Sequence, residues 1–282
     1  MDTTQPTIAL IGHGIMGEAI LSGLIRDGLT PADHILAAGP RVDRGEELRD
    51  RYGIRPFTDN RAAAEQADVV ILSVKPQRLD RVLENLRGHI QPDALIISIV
   101  AGASIEKIAT QLGHSCIVRS MPNTPGQIGE GITVWVPSPS VNEEQKKTVR
   151  QILGALGQEI FVEEENYLDM ATALSGTGPA YVFLFLEALI DAGVHLGFPR
   201  RIAEQLVLQT VSGSVDYYRR KKAHPAALRN EVTSPGGTSA EAIYYLEKAG
   251  FRTAISRAIW AAYERSQELG KDKPTGQLKE NS

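Results

Sequence analysis

Thr7-Ile8-Ala9-Leu10-Ile11-Gly12-His13-Gly14-Ile15-Met16-Gly17 joins an apolar run to the helical pattern Glu18-Ala19-Ile20-Leu21, with Leu24 and Ile25 one turn further on. An unbroken apolar run of this kind suits a parallel strand buried on both faces. The G-x-G-x-x-G that ends it acquires a physical meaning from the strand before it and the helix after it. Its first glycine makes the tight turn, its second lets a pyrophosphate approach the backbone, and its third lets helix and strand pack closely. The helix start then offers free N–H groups and the positive end of its dipole to phosphates. Taken alone the motif is also compatible with an ordinary glycine turn; the flanking elements favour a phosphate-bearing ligand.

Outward from this corner, apolar runs alternate with helical patterns. Residues 34–38 read as a second strand, and residues 68–74 as another that ends in Lys75-Pro76. Residues 94–100 form a further strand ending in Ala101-Gly102-Ala103, residues 116–121 one ending in Pro122-Asn123-Thr124-Pro125-Gly126, and residues 132–136 one more. Pro76 suits the first position of a helix, and Ser104 can cap the next. The alternation predicts an α/β fold with a doubly wound parallel sheet, whose ligands collect beyond the C-terminal strand ends. Lys75, Gly102 and Asn123 are therefore expected to face one crevice. After the second strand stands Gly39-Pro40-Arg41, with Arg44 one helical turn on and no acid at the strand tip. An acid there would bond the ribose 2′-hydroxyl of NAD, whereas an arginine accommodates a 2′-phosphate. Arg41 thus favours NADP(H), with NAD(H) as the alternative cofactor.

From about residue 163 the pattern turns helical. Residues 169–174 read as a short helix that stops at Ser175-Gly176-Thr177-Gly178. Pro179 then starts an apolar helix in which Glu187, Asp191 and His195 recur every fourth residue as a polar stripe. Its remaining positions are more apolar than one buried face requires, which predicts burial within a helical bundle or between subunits. Residues 199–220, 225–232, 239–249 and 251–270 complete an all-α domain. The expected division is a dinucleotide-binding domain over 1–163, a helical domain over 164–270 and a polar tail over 271–282.

A chain of 282 residues accommodates two such domains. The net charge of −4 comes with no basic stripe, which argues against a nucleic-acid partner. Arg219-Arg220-Lys221-Lys222 reads as the solvated end of a helix. Cys116 is the single cysteine, so no intrachain disulfide forms and a reducing compartment, the cytoplasm, is expected. The first six residues carry no secretory pattern. The longest apolar stretch, residues 179–196, is interrupted by Glu187 and Asp191 and is short for a membrane span, so a buried helix and no membrane are expected. None of the histidines at 13, 34, 89, 114, 195 and 224 forms a pair at helical metal-ligand spacing, and no metal is expected.

A second glycine site lies in the helical half, at Ser234-Pro235-Gly236-Gly237-Thr238-Ser239. Thr238 followed by Glu241 reads as a capping box, so a helix starts here. Two glycines before it expose backbone N–H groups at the positive helix end, a pocket able to hold a carboxylate. The hydroxyls of Ser234, Thr238 and Ser239 can donate or accept further hydrogen bonds.

Taken together, these stretches resemble pyrroline-5-carboxylate reductase. The residues that carry the resemblance are Gly12 to Gly17, Ser73-Val74-Lys75-Pro76, Met121-Pro122-Asn123-Thr124-Pro125, Ser175-Gly176-Thr177-Gly178-Pro179-Ala180-Tyr181 and Ser234 to Ser239. The resemblance spans about residues 7–270. It implies a Rossmann domain followed by a helical dimerisation domain, a site shared between subunits, and homodimers that in this family often assemble into decamers. The chain departs from the family at Ile15, where Asn or Gln is usual, at Gly17, often Ala, at Thr177, usually Ser, and at Ser239, usually Thr. The last two keep the hydroxyl.

The implied reaction is hydride transfer from nicotinamide to the C=N carbon of Δ1-pyrroline-5-carboxylate, giving L-proline. An iminium accepts hydride readily, so the protein's tasks are to orient the two rings and anchor the carboxylate. That fits the lack of any Ser-His-Asp or Cys-His constellation. The resemblance assigns the carboxylate to the Gly236-Gly237-Thr238 amides, a hydrogen bond between Ser239 and the ring nitrogen, and a supporting charge to Lys75. Thr238 joins Ser239 and Lys75 as a catalytic candidate, and Asn123 and Ser234 as substrate-binding ones. Gly12, His13, Gly14, Ile15, Met16, Gly17, Arg41, Asn60, Val74, Lys75, Ala101 and Gly102 are the cofactor-binding positions. Another cyclic-imine reductase is a close alternative. A β-hydroxyacid dehydrogenase would place a catalytic lysine on the apolar helix, which has none. A non-catalytic dinucleotide sensor gives no reason for Ser234 to Ser239.

Overall fold

The computed structural model describes residues 5–270, so the polar tail predicted over 271–282 lies outside the described residues. The elements run β1 (Ile8–Ile11), α1 (Ile15–Arg26), β2 (Ile35–Ala38), α2 (Val42–Tyr52), β3 (Arg55–Phe57), α3 (Asn60–Ala64), β4 (Val69–Leu72) and α4 (Pro76–Leu86). They continue as β5 (Leu95–Ser98), α5 (Ile105–Leu112), β6 (Ile117–Met121), β7 (Gly131–Pro137), α6 (Glu143–Gly154), β8 (Gly157–Phe161) and α7 (Tyr167–Ala171). The helices α8 (Gly178–His195), α9 (Arg200–Lys221), α10 (Pro225–Glu231), α11 (Thr238–Lys248) and α12 (Phe251–Gly270) follow. Two compact units result: one runs through Thr177 and takes back α12 from Ala262, and the other is Gly178–Ala261.

Among the described residues, eight strands form one sheet in the order β3-β2-β1-β4-β5-β6-β7-β8. β1, β2, β4 and β5 are buried at every position, as strands covered by helices on both faces must be. Alternate side chains sort into two cores. Ile8 and Leu10 pack with Ile20, Leu21 and Leu24 of α1 and Ile152 of α6, whereas Ala9 and Ile11 pack with Ala63, Leu83 and Ile108. Neighbouring strands are parallel among the described residues except β6 and β7, which pair antiparallel with Ser120 opposite Trp135. Between them lies only a short 3₁₀ turn, Thr124–Ile128, and a parallel return needs a longer crossover. The sheet is thus parallel-dominated.

Arg119 of β6 joins this sheet to the segments that follow it. Its guanidinium is 6% exposed and donates to Glu165 Oε1 at 3.0 Å and to Asp169 Oδ1 at 2.8 Å. Asp169 also accepts from the Ser266 hydroxyl of α12 at 2.8 Å, and Glu165 from the Ile105 amide at 2.8 Å.

Residues 172–176 do not end the helix as the Ser-Gly-Thr-Gly run suggests. They form one π turn, Thr172–Gly176, in which the Thr177 amide reaches back five residues to the Thr172 carbonyl at 2.8 Å. Hydroxyls substitute for missing helical partners: Ser175 donates to the Ala171 carbonyl and Thr177 to that of Thr172. In the Gly178–Ala261 unit, α8 and α9 approach closely where Gly193 meets Ala203. No residue of α8 is buried within the chain, and Leu184 is 67% exposed. Of the two settings expected for this helix, a helical bundle or a subunit boundary, the helices of the single chain do not provide the first.

Candidate functional site

The parallel register of β1 and β4, Ile11 opposite Leu72, makes the two following loops emerge side by side. Gly12 turns the chain at φ +100, and a Cβ there would sit 2.5 Å from the Ser73 carbonyl oxygen. A Cβ on Gly17 would lie 2.4 Å from the Gly12 oxygen, so α1 begins in contact with the turn. A Cβ on Gly14 meets nothing within 4 Å. Gly14 caps α1 without any side-chain bond, which leaves the first helical amides open. Turn, open approach and close packing are the three conditions that a dinucleotide pyrophosphate imposes, and the three glycines meet them in order.

These residues border a cleft of about 700 Å³. Of the expected positions, Gly14, Ile15, Met16, Arg41, Val74, Lys75 and Ala101 line it. Gly12, His13 and Gly17 shape the turn without lining the cleft. His13 is buried against Gly39, where a Cβ would lie 2.2 Å from the imidazole Nε2. Burial pushes the His13 pKa below its usual value, with the Arg41 and Arg44 charges acting the same way, so the ring is neutral at pH 7. Lys75 is exposed and precedes Pro76, which occupies the first turn of α4 as expected.

Sequence reading missed the acids on the rim. Asp43, Arg44 and Glu47 of α2 line the cleft with Arg41, as do Ser73, Pro76, Ile99 and Val100. Arg44 pairs through Nη1 with Glu47 at 2.6 Å and through Nη2 with Glu18 of α1. The strand tip itself carries no acid, and the acids stand on α2, beside the arginines. The signal was present only as helical spacing, since 44 and 47 are three apart.

Three expected site residues have other neighbours. Asn123 donates from Nδ2 to the Ser175 carbonyl at 3.3 Å and accepts from the Ile132 amide at 2.9 Å. That carbonyl would ordinarily serve the amide four residues on, which is Pro179 and has no N–H, so Asn123 satisfies it. Gly102, at φ +74, has the backbone of α12 pressed against it, and a Cβ would lie 2.9 Å from the Gly270 nitrogen. Asn60 opens α3 behind the Asp59 cap and does not line the cleft. The single crevice expected for Lys75, Gly102 and Asn123 is thus lined by Lys75 alone of the three.

The second glycine site lies in the helical unit. Pro235 and Gly236 (φ +71) form a turn closed by the Gly237 amide donating to the Ser234 carbonyl at 3.0 Å. Gly237 is the cap of α11 and makes no side-chain cap bond, so the expected Thr238–Glu241 capping box does not form. Thr238 is already helical, and its hydroxyl is one position too late to cap. The Ser234 hydroxyl sits over Gly237, where a Cβ would be 2.6 Å away. The Gly237 amide being engaged, the open amides of this helix start are those of Thr238, Ser239 and Ala240, since Glu241 is the first to bond back, to the Gly237 carbonyl.

Comparison with known proteins gives these features a context. A family described as pyrroline-5-carboxylate reductase dimerisation matches residues 165–269, and one described as NADP oxidoreductase coenzyme F420-dependent matches residues 7–102. The chain is 44% identical to a pyrroline-5-carboxylate reductase of Synechocystis sp., covering 94% of this chain and 98% of that protein. It superposes on a Plasmodium falciparum pyrroline carboxylate reductase with NADP bound at a TM-score of 0.88 and 33% identity, covering 95% and 99% of the two chains. A Coxiella burnetii pyrroline-5-carboxylate reductase gives a TM-score of 0.86 at 37% identity, covering 95% and 100%.

Proposed function

The chain belongs to the pyrroline-5-carboxylate reductase family, and on that premise we propose which of its residues carry the family's reaction. It is an oxidoreductase that uses a nicotinamide dinucleotide. When bound, the dinucleotide supplies hydride to the C=N carbon of Δ1-pyrroline-5-carboxylate, and the product is L-proline. The observation that supports this reading is the glycine corner between β1 and α1, whose open amides and unobstructed Gly14 fit a pyrophosphate.

Gly14, Ile15 and Met16 hold the pyrophosphate, with Gly12, His13 and Gly17 fixing the turn beneath them. Val74, Lys75 and Ala101 flank the dinucleotide, and Lys75 adds positive charge to the wall. Asn60 and Gly102 are kept only as positions that the family resemblance assigns to the cofactor, since neither lines the cleft. The Thr238 and Ser239 amides grip the substrate carboxylate, in place of the Gly237 amide that closes its own turn. The Ser234 and Thr238 hydroxyls orient it, with Gly236 and Gly237 allowing the approach. The Ser239 hydroxyl oxygen accepts a hydrogen bond from the protonated ring nitrogen, and Asn123 supports the substrate side by fixing its loop to the π turn.

Ser239→Ala is expected to lower kcat by roughly 10- to 100-fold with NADPH affinity unchanged, while Ser239→Thr keeps turnover. NADPH absorbance followed with pyrroline-5-carboxylate measures this, and unchanged kcat and KM in the alanine variant remove Ser239 from the mechanism. Turnover with a 3-oxo acid instead would favour a β-hydroxyacid dehydrogenase. NADP(H) is the proposed preference, because Arg41 is exposed at the rim with no ion-pair partner among the described residues. Arg41→Asp is expected to weaken NADPH about tenfold or more relative to NADH, and an unaltered preference refutes that role.

The match over residues 165–269 makes the helical unit a homo-oligomerisation domain. A homodimer covering the exposed α8 face, with a decamer as the higher assembly, is the form we propose. The length and apolarity of residues Tyr167–His195 would also suffice for a membrane crossing. A second copy accounts for the same surface, and a cytoplasmic enzyme without membrane or nucleic-acid partners is the proposed setting.

A further inference from the structure

The rim of the cleft holds two arginines in unlike states. Arg41 is exposed and has no ion-pair partner among the described residues. Arg44 is 17% exposed, with one guanidinium nitrogen on Glu47 at 2.6 Å and the other on Glu18. The two carboxylates differ as well. Glu18, 19% exposed, also accepts from Arg51 and from the Tyr52 hydroxyl, each at 3.0 Å, and is fixed by three donors. Glu47 is 56% exposed and holds Arg44 alone.

A phosphate monoester carries nearly two charges and three acceptor oxygens, and it binds guanidinium edge-on through paired N–H groups. Arg44 and its partner Glu47 both line the same cleft as Arg41. We propose that Glu47 determines cofactor specificity by competing with a dinucleotide 2′-phosphate for Arg44, which narrows the advantage of NADPH over NADH. This deepens the nicotinamide-dinucleotide reading and rests on it. A 2′-phosphate displaces Glu47 into water at small cost, because the carboxylate is already half in solvent and an exposed pair is weak. Glu18 stays on the opposite nitrogen and keeps the guanidinium oriented. A ribose 2′-hydroxyl cannot displace a carboxylate, so NADH leaves the Arg44–Glu47 pair in place. Discrimination built from a competing charge, rather than from an added contact, is a known route to graded specificity.

The test is direct binding without substrate, with NADPH and NADH titrated separately and nucleotide fluorescence as the readout. Glu47→Gln is expected to tighten NADPH roughly three- to fivefold and to change NADH less than about twofold. In an Arg44→Gln background the same Glu47→Gln change is expected to move NADPH less than about 1.5-fold, because the contested partner is gone. Equal tightening of both nucleotides, no tightening of either, or the full gain without Arg44 each overturns the proposal. Wild-type protein that binds neither nucleotide overturns the dinucleotide reading along with it. Wild-type binding of NADPH with an inert Glu47→Gln overturns this inference alone.

Discussion

Arg119→Met is expected to destabilise the sheet-bearing unit by about 3 kcal/mol, read as a lowered urea midpoint at unchanged slope. The arginine is buried, and its two nitrogens face Glu165 and Asp169, which are themselves only partly exposed. Removing the cation leaves two carboxylates near each other with no compensating charge. The hydroxyl of Ser266 and the amide of Ile105 remain as their donors, but neither supplies a charge. Removing one partner of a buried pair costs about 3–5 kcal/mol, and the partial exposure of the acids places this case at the low end. Arg119→Met combined with Glu165→Gln and Asp169→Asn should recover much of the loss, since the stranded charges are then gone. A single variant with the wild-type midpoint shows that the pair contributes little.

Gly12→Ala is expected to weaken NADPH at least about 100-fold and also to lower stability, whereas Gly14→Ala weakens the nucleotide with stability unchanged. The two glycines stand two residues apart, yet a methyl group meets different surroundings at each. At Gly12 it strains a φ of +100 and meets the Ser73 carbonyl oxygen at 2.5 Å and its carbonyl carbon at 2.8 Å. The ends of β1 and β4 must then separate, and both walls of the cleft move. At Gly14 the methyl meets no protein atom within 4 Å, so it obstructs only what enters the cleft. Thermal melts beside nucleotide titrations separate the cases. Equal loss of stability in the two variants would show that Gly14 is also a packing position.

The central strands were legible because burial on both faces writes an uninterrupted apolar run. The edge strands were not: Arg55-Pro56-Phe57 and Gly157-Gln158-Glu159-Ile160-Phe161 mix polar and apolar residues because one side meets water. The π turn was misread as a helix end, since Ser-Gly-Thr-Gly carries the composition of a breaker and the hydroxyl bonds that sustain the helix are not visible in sequence. The glycine corner was legible to the individual residue. The acids of the rim were not, because which side of α2 meets the cleft depends on how that helix is rotated. Exposure of α8 could not be read either, since the same apolar pattern serves a core helix and one covered by another subunit.

The reversal at β7 divides the labour of the sheet. β1 to β6 all point their C-terminal ends toward one edge, while β7 and β8 point theirs toward the other. The last wing, from Gly131 to Phe161, is therefore a buttress: it supplies Trp135 and Ile152 to the interior and no residue to the lining of the cleft. Its edge strand, Gly157–Phe161, lines none of the cleft, so substitutions at the exposed positions of that strand are expected to leave nucleotide binding unchanged.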